Sequence, residues 1–199
     1  MNPGNRVNPF KGLYYYEEAD KDIFFGRDNL SRELFNLVAL NGLTLVFGKS
    51  GIGKTSLLNA GLFPLLRDTD FLPVRLRMDY SSSGVPLIDQ VKQGLQAELR
   101  ENGVIERVKG ETEPAPAFSE GETLWEYFHR VDHVNSDGKP ITPVLVFDQF
   151  EEIFTIGKHH RQRELLIDEL NDLVEDQVPL AVKERLLTRA GMFPYLRSR

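Results

Sequence analysis

The sequence predicts an α/β fold, a mainly parallel central sheet held between layers of helices. Three observations predict it. The run Leu43-Thr44-Leu45-Val46-Phe47 is apolar and β-branched with no polar alternation, as expected of a parallel strand buried on both faces. A glycine-rich segment follows it, and then apolar residues at Leu57, Leu58, Leu62 and Phe63, spaced for one face of a helix. A second apolar run, Val144-Leu145-Val146-Phe147, ends in Asp148, and the carboxyl ends of such strands face the ligand crevice of open α/β sheets.

Composition sets the bounds. A chain of 199 residues with 41% hydrophobic content makes one or two domains with a real core. A formal charge of −6 argues against a nucleic-acid footprint, which needs a basic face. The absence of cysteine excludes disulfides and thiolate metal sites. The polar N-terminus shows no signal peptide, and the longest apolar runs are strand-length, too short to span a membrane. These features predict a soluble, cytoplasmic chain.

In chain order, residues 1–12 are rich in Asn, Pro and Gly and read as a flexible segment, with one domain over 13–199. Asp28 is placed to cap a helix carrying Leu30, Leu34, Leu37 and Val38, which Asn41-Gly42 stops. Pro64 is expected to bend or end the helix that follows the glycines. Phe71 to Met78 reads as a strand near a sheet edge, and Ser81 to Gly84 as a loop. Pro86 opens a helix bearing Leu87, Ile88, Val91, Leu95 and Leu99. Residues 108–118 read as a surface loop, and Ser119 as the cap of a helix running through Leu124, Trp125, Phe128 and Val131. Asn135 to Gly138 is a turn. Only helical text follows Asp148: Glu164 to Val174, then Pro179 to Leu187. His129 and His133, four apart, read as an exposed helix face rather than a metal site, since no third ligand accompanies them. His159-His160-Arg161 with Arg163 reads as a solvated helix start.

The segment between strand and helix carries the chemistry. Gly48-Lys49-Ser50-Gly51-Ile52-Gly53-Lys54-Thr55 fits G-x-x-x-x-G-K-[ST], in the strand–loop–helix context that a phosphate-binding loop requires. Its glycines admit positive φ angles and let backbone N–H groups curl around phosphate oxygens. The helix start, from Lys54 through Thr55 and Ser56, adds free N–H groups and a positive dipole end. Lys54 is expected at the β- and γ-phosphates, and the Thr55 hydroxyl on Mg²⁺. Asp148 would hold the Mg²⁺ shell, and Glu151 or Glu152 would polarise an attacking water; otherwise these acids only favour a helix start. No D-x-x-G follows the acid, no N-K-x-D base reader is present, and no L-S-G-G-Q signature appears, so adenine is the expected base and ATP the expected nucleotide.

Together, Asn8-Pro9-Phe10-Lys11-Gly12-Leu13, Phe24-Phe25-Gly26-Arg27-Asp28, the phosphate loop and Asp148-Gln149-Phe150-Glu151-Glu152 resemble the STAND class of signal-transduction P-loop NTPases. The likeness is to the bacterial branch often fused to WD40 or other repeats, and it covers roughly residues 8–187. The resemblance implies a three-layer sandwich and an ATP-driven switch with ATP and ADP as ligands. It further implies self-association through this domain and C-terminal sensor or repeat domains. It also implies that Phe25, Gly26 and Arg27 lie against the adenine or its ribose. In the resembled fold a further strand, bearing a polar γ-phosphate sensor, lies between the phosphate-loop and Asp148 strands. Arg189 does not supply it, because Leu186-Leu187-Thr188 is embedded in helical spacing. The expectation is therefore a C-terminally truncated NTPase domain without its sensor strand, lid and winged helix. Two functions fit: a hydrolysing switch module, or a nucleotide-holding interaction module with negligible hydrolysis.

Overall fold

The computed structural model describes residues 11–12, 14–80, 84–155 and 160–189, apart from the side chains of His160 and Arg189. Most of the expected flexible segment, the tip of the Ser81–Gly84 loop, His159 and the last ten residues lie outside the described residues. The chain divides into two compact units, Met1–Val74 with Ile141–Asp148, and Arg75–Pro140 with Gln149–Arg199.

In the first unit a 3₁₀ turn, Glu18–Ile23, leads to helix α1, Asp28–Leu40. Arg27 takes the N-cap position, one residue earlier than expected, and the Asn41 N–H bonds back to the Leu37 carbonyl at the other end. Leu34 is buried and Val38 packs on the core, whereas Leu30 and Leu37 remain exposed, so the apolar face of α1 is only partly used. Helix α2 begins at Lys54–Ser56, passes through a π-helical turn, Leu57–Leu62, and ends in Phe63–Arg67. Pro64 neither ends nor breaks it. The π-turn changes the bonding pattern just before Pro64, which sits in the first turn of the last segment, where its missing N–H costs little. Leu57, Leu62, Phe63 and Leu66 of α2 form the core with Leu34.

Strand β1, Phe71–Leu76, pairs in parallel with the later strand over Thr142–Phe147, and the Thr142 N–H reaches the Asp70 carbonyl at 2.7 Å where the pair begins. The sequence expectation fails at Leu43–Phe47, which is not a strand. Leu43, Leu45 and Phe47 are 58%, 75% and 90% exposed, and Val46 is exposed as well, instead of buried. The Thr142–Phe147 strand is only half-buried along its length. The described sheet has two strands, short of the predicted three-layer sandwich; Val144 and Val146 of the later strand pack on the Leu34–Leu66 core, whereas Leu43, Leu45 and Phe47 stay exposed.

The second unit is built on α3, Leu87–Glu101, whose Leu87, Val91, Leu95 and Leu99 are buried at the predicted spacing. Leu76 crosses Gly94 of α3 so closely that a Cβ there would lie 2.5 Å from its Cδ2. Strand β2, Ile105–Val108, pairs antiparallel with β3, Val131–Val134, a two-stranded sheet the sequence reading missed. Helix α4 runs only from Leu124 to Arg130, capped by Thr123 and not Ser119. The Thr123 hydroxyl accepts the Glu126 N–H while the Glu126 carboxylate takes the Thr123 N–H. Val131, expected at the end of that helix, belongs to β3. With Thr142–Phe147 as β4, the helices α5 (Glu152–Thr155), α6 (His160–Val174) and α7 (Leu180–Arg189) complete the described chain.

The paired histidines separate. His129 stays on α4, its ring stacked on Trp125 and its Nε2 3.0 Å from Asp176. His133 lies in β3 and is buried, so the expected exposed helix face is wrong for it. The Tyr127 hydroxyl donates to the Glu106 carboxylate, and the His133 Nε2 stands 3.0 Å from that hydroxyl. Because the phenol proton is committed to Glu106, Nε2 must carry hydrogen and donate to the phenol oxygen. Burial pushes His133 down to about 4, with Asp132 pulling it back slightly. Among the described residues no group of three or more His, Asp or Glu is placed to hold a metal, and no helix is long and apolar enough to cross a membrane.

Candidate functional site

The phosphate-loop segment, Gly48 to Thr55, has the backbone its glycines were expected to supply. Gly51 and Gly53 take φ of +80° and +89°, left-handed values that a side chain would strain, on either side of Ile52. Helix α2 starts at the next residue, so its first N–H groups point back toward the loop. Residues Gly48, Lys49, Ser50 and Gly51 are exposed. The Lys54 ammonium folds over the loop and donates to the Gly48 carbonyl at 2.9 Å and the Lys49 carbonyl at 3.4 Å. Its partners are neutral carbonyls, a weaker partnership than a phosphate would offer.

Thr55 and Asp148 come together although 93 residues apart: the Thr55 hydroxyl donates to Asp148 Oδ1 at 3.3 Å. Asp148 follows β4 directly and is 8% exposed, a buried acid where the sequence placed it. A hydroxyl and a carboxylate are hard oxygen donors, the kind Mg²⁺ selects, and Mg²⁺ fills the rest of its shell with water and substrate phosphate. The described residues fit such an ion without a further protein carboxylate. Ser56, beside Thr55, is buried, and its hydroxyl accepts the Tyr16 N–H at 3.1 Å.

Phe25 is 73% exposed, and Gly26 turns the chain into α1 with φ +81°. Arg27 does not stand apart from the loop: its Nη2 donates to the Ile52 carbonyl at 2.8 Å. Glu151 is exposed and Glu152 half-buried at the start of α5, in the second unit. Nearby Tyr80 is buried with no hydrogen-bond partner for its hydroxyl among the described residues. Burial, then the charges of Glu152 and Glu151, push that phenol up to about 12.

Sequence reasoning missed the support beneath the loop. Asn59, 2% exposed on the π-turn, donates to the Tyr16 carbonyl at 3.2 Å and to Glu17 at 3.4 Å, strapping the N-terminal segment onto α2. Gly61 lets α1 approach: a Cβ there would lie 2.3 Å from the Ser31 hydroxyl oxygen. The one available signal was Gly61 itself, because a glycine inside a helix usually has a packing reason.

A family model described as Novel STAND NTPase 1 matches residues 9–198, nearly the whole chain. The chain belongs to that family. The resemblance read from the Asn8–Leu13, Phe24–Asp28 and Asp148–Glu152 elements is thereby borne out, over a slightly longer span than the motifs alone covered. The match makes this Novel STAND NTPase 1 chain one of a nucleotide-using class, in keeping with its mixed α/β architecture. The chain matches no curated protein and no solved structure.

Proposed function

We propose that this domain binds Mg²⁺-ATP and acts as a nucleotide-dependent switch, hydrolysing ATP to ADP and phosphate in the intact protein. The observation that carries the reading is the approach of the Thr55 hydroxyl to the buried Asp148 carboxylate beside Lys54. A strand-end acid next to the first helical hydroxyl of a phosphate loop is the arrangement that holds a nucleotide's metal in P-loop enzymes. In this reading the Gly48–Thr55 backbone cradles the phosphates, with Ser56 supporting the helix start. Lys54 leaves the Gly48 and Lys49 carbonyls for the β- and γ-phosphates. Thr55 and Asp148 hold Mg²⁺, which when bound neutralises charge on the phosphates. Glu151 or Glu152 orients the attacking water, and Phe25 with Gly26 borders the base. Self-association of the intact protein would couple the nucleotide state to signalling. A module that holds nucleotide without appreciable hydrolysis is the second reading, favoured by the exposure of Glu151.

The test is calorimetry with Mg²⁺-ATP on the folded chain. Lys54→Ala should weaken binding at least about tenfold, since a charge-assisted contact to phosphate is worth about 1.5–3 kcal/mol. Equal affinities for wild type and variant would sink the assignment.

A further inference from the structure

The geometry at Arg27 points to a role on the phosphate side of the site. The Arg27 guanidinium donates to the Ile52 carbonyl at 2.8 Å, and its carbon and both terminal nitrogens stand 3.8 Å from where a Cβ on Gly53 would lie. No described peptide bond is cis, so the Ile52–Gly53 peptide holds its C=O and N–H in opposite directions. Fixing the Ile52 carbonyl on Arg27 therefore fixes the Gly53 N–H away from Arg27. With Gly51 and Gly53 both left-handed, that N–H joins the run of successive donors that forms an anion-binding concavity.

Arg27 is itself held firmly. The Gly26 turn delivers it, and its own carbonyl accepts both the Ser31 N–H at 2.8 Å and the Ser31 hydroxyl at 3.0 Å. Ser31 is in turn wedged against Gly61 of the helix that follows the loop. Lys54 and Arg27 thus differ in kind. Lys54 must abandon its carbonyls to meet a phosphate, whereas Arg27 lies on the carbonyl side of its peptide and gives up nothing when an anion arrives.

We propose that Arg27 is a positioning residue of the phosphate loop, presetting the Gly53 N–H for the anion and acting on phosphates irrespective of the base. This rests on the nucleotide reading of the same site. Three ligands test it by calorimetry on the full 199-residue chain: Mg²⁺-ATP, Mg²⁺-GTP and inorganic tripolyphosphate. Arg27→Met should weaken all three by one common factor, about tenfold for a lost charged hydrogen bond that set a donor's direction. The ATP-to-GTP ratio and the melting temperature should stay as in wild type, and Arg27→Lys should recover part of the loss. A loss confined to ATP makes Arg27 a base contact and overturns the proposal. So do unchanged affinities, or a loss that tracks a fall in melting temperature without rescue by lysine. A wild-type chain that binds none of the three ligands overturns the nucleotide reading and this role with it. Wild-type binding beside an unaffected methionine variant overturns this role alone.

Discussion

Acidification should loosen the second unit through one side chain. His133 is 6% exposed in β3, donating from Nε2 to a Tyr127 hydroxyl whose own proton goes to Glu106. Charging the ring means adding a proton at Nδ1 inside a packed cluster, with the Phe128 ring centroid 5.8 Å away. Burial pushes the group from an ordinary 6.5 down to about 4. The sign follows from the base: between those values the unfolded chain binds the proton and the folded chain does not. The His133 contribution is therefore fully present above pH 6.5 and is lost as the pH falls toward 4. At about 1.36 kcal/mol per pH unit the whole gap is worth on the order of 3 kcal/mol, about 2 of it gone by pH 5. Other groups titrate nearby. Burial raises Glu169, which works in the opposite direction. Burial also raises Glu122, but the Arg130 bridge and the Ser119 N–H outweigh it and hold that carboxyl below its ordinary value. The clean quantity is thus the difference between wild type and His133→Gln, whose amide can still donate to Tyr127 but takes no proton. The sole tryptophan, Trp125, lies on the helix leading into β3 and reports urea unfolding of this unit. Between pH 7 and pH 5 the wild type should lose about 2 kcal/mol more than the glutamine variant. Parallel profiles would refute the account of His133 as a buried neutral base.

Three further outcomes are expected. Gly61→Ala should destabilise the first unit by about 1–2 kcal/mol, an overpacking cost offset in part by helix propensity, and Ser31→Gly should relieve it; thermal melts of the single and double variants check this. Asp148→Asn should abolish the gain in ATP affinity that Mg²⁺ confers while leaving metal-free binding near wild type, as titration with and without a chelator would reveal. One of Glu151→Gln and Glu152→Gln should slow phosphate release at least about tenfold with ATP affinity unchanged, the typical weight of a residue that positions a proton transfer. Wild-type rates from both variants would leave the non-hydrolysing module as the reading.

The motif residues were easier to pick out of the sequence than the scaffold around them. Gly48 to Thr55 and Asp148 stood out because phosphate and metal chemistry would demand particular residue types at fixed spacing, and the structure does bring Thr55 to Asp148. The α3 helix was readable because Leu87, Val91, Leu95 and Leu99 all serve one core. Leu43–Phe47 misled for a physical reason: its composition is that of a doubly buried strand, but burial requires neighbours, and the described two-stranded sheet offers none. The β2–β3 pair escaped because each strand has four residues, and Val131–Val134 continues the apolar rhythm of the helix before it. Arg27 on the Ile52 carbonyl, and Asn59 beneath the N-terminal segment, depend on contacts 25 and more than 40 residues distant, which no local spacing encodes.

The bare row of Leu43, Leu45 and Phe47 also governs how the protein must be handled. Leu43-Thr44-Leu45-Val46-Phe47 combines high β-propensity with no charge and no proline, the makeup of a segment that seeds intermolecular β-stacking. Its flanks restrain it: Asn41-Gly42 on one side, and Gly48 with the Lys49 charge on the other, disfavour extension of a growing strand. Even so, the exposed apolar row should make a preparation of this chain turn turbid with concentration and warming sooner than its net charge of −6 would lead one to expect. A lysine in place of Leu45, 75% exposed and outside the core, should delay that clouding without shifting the melting transition.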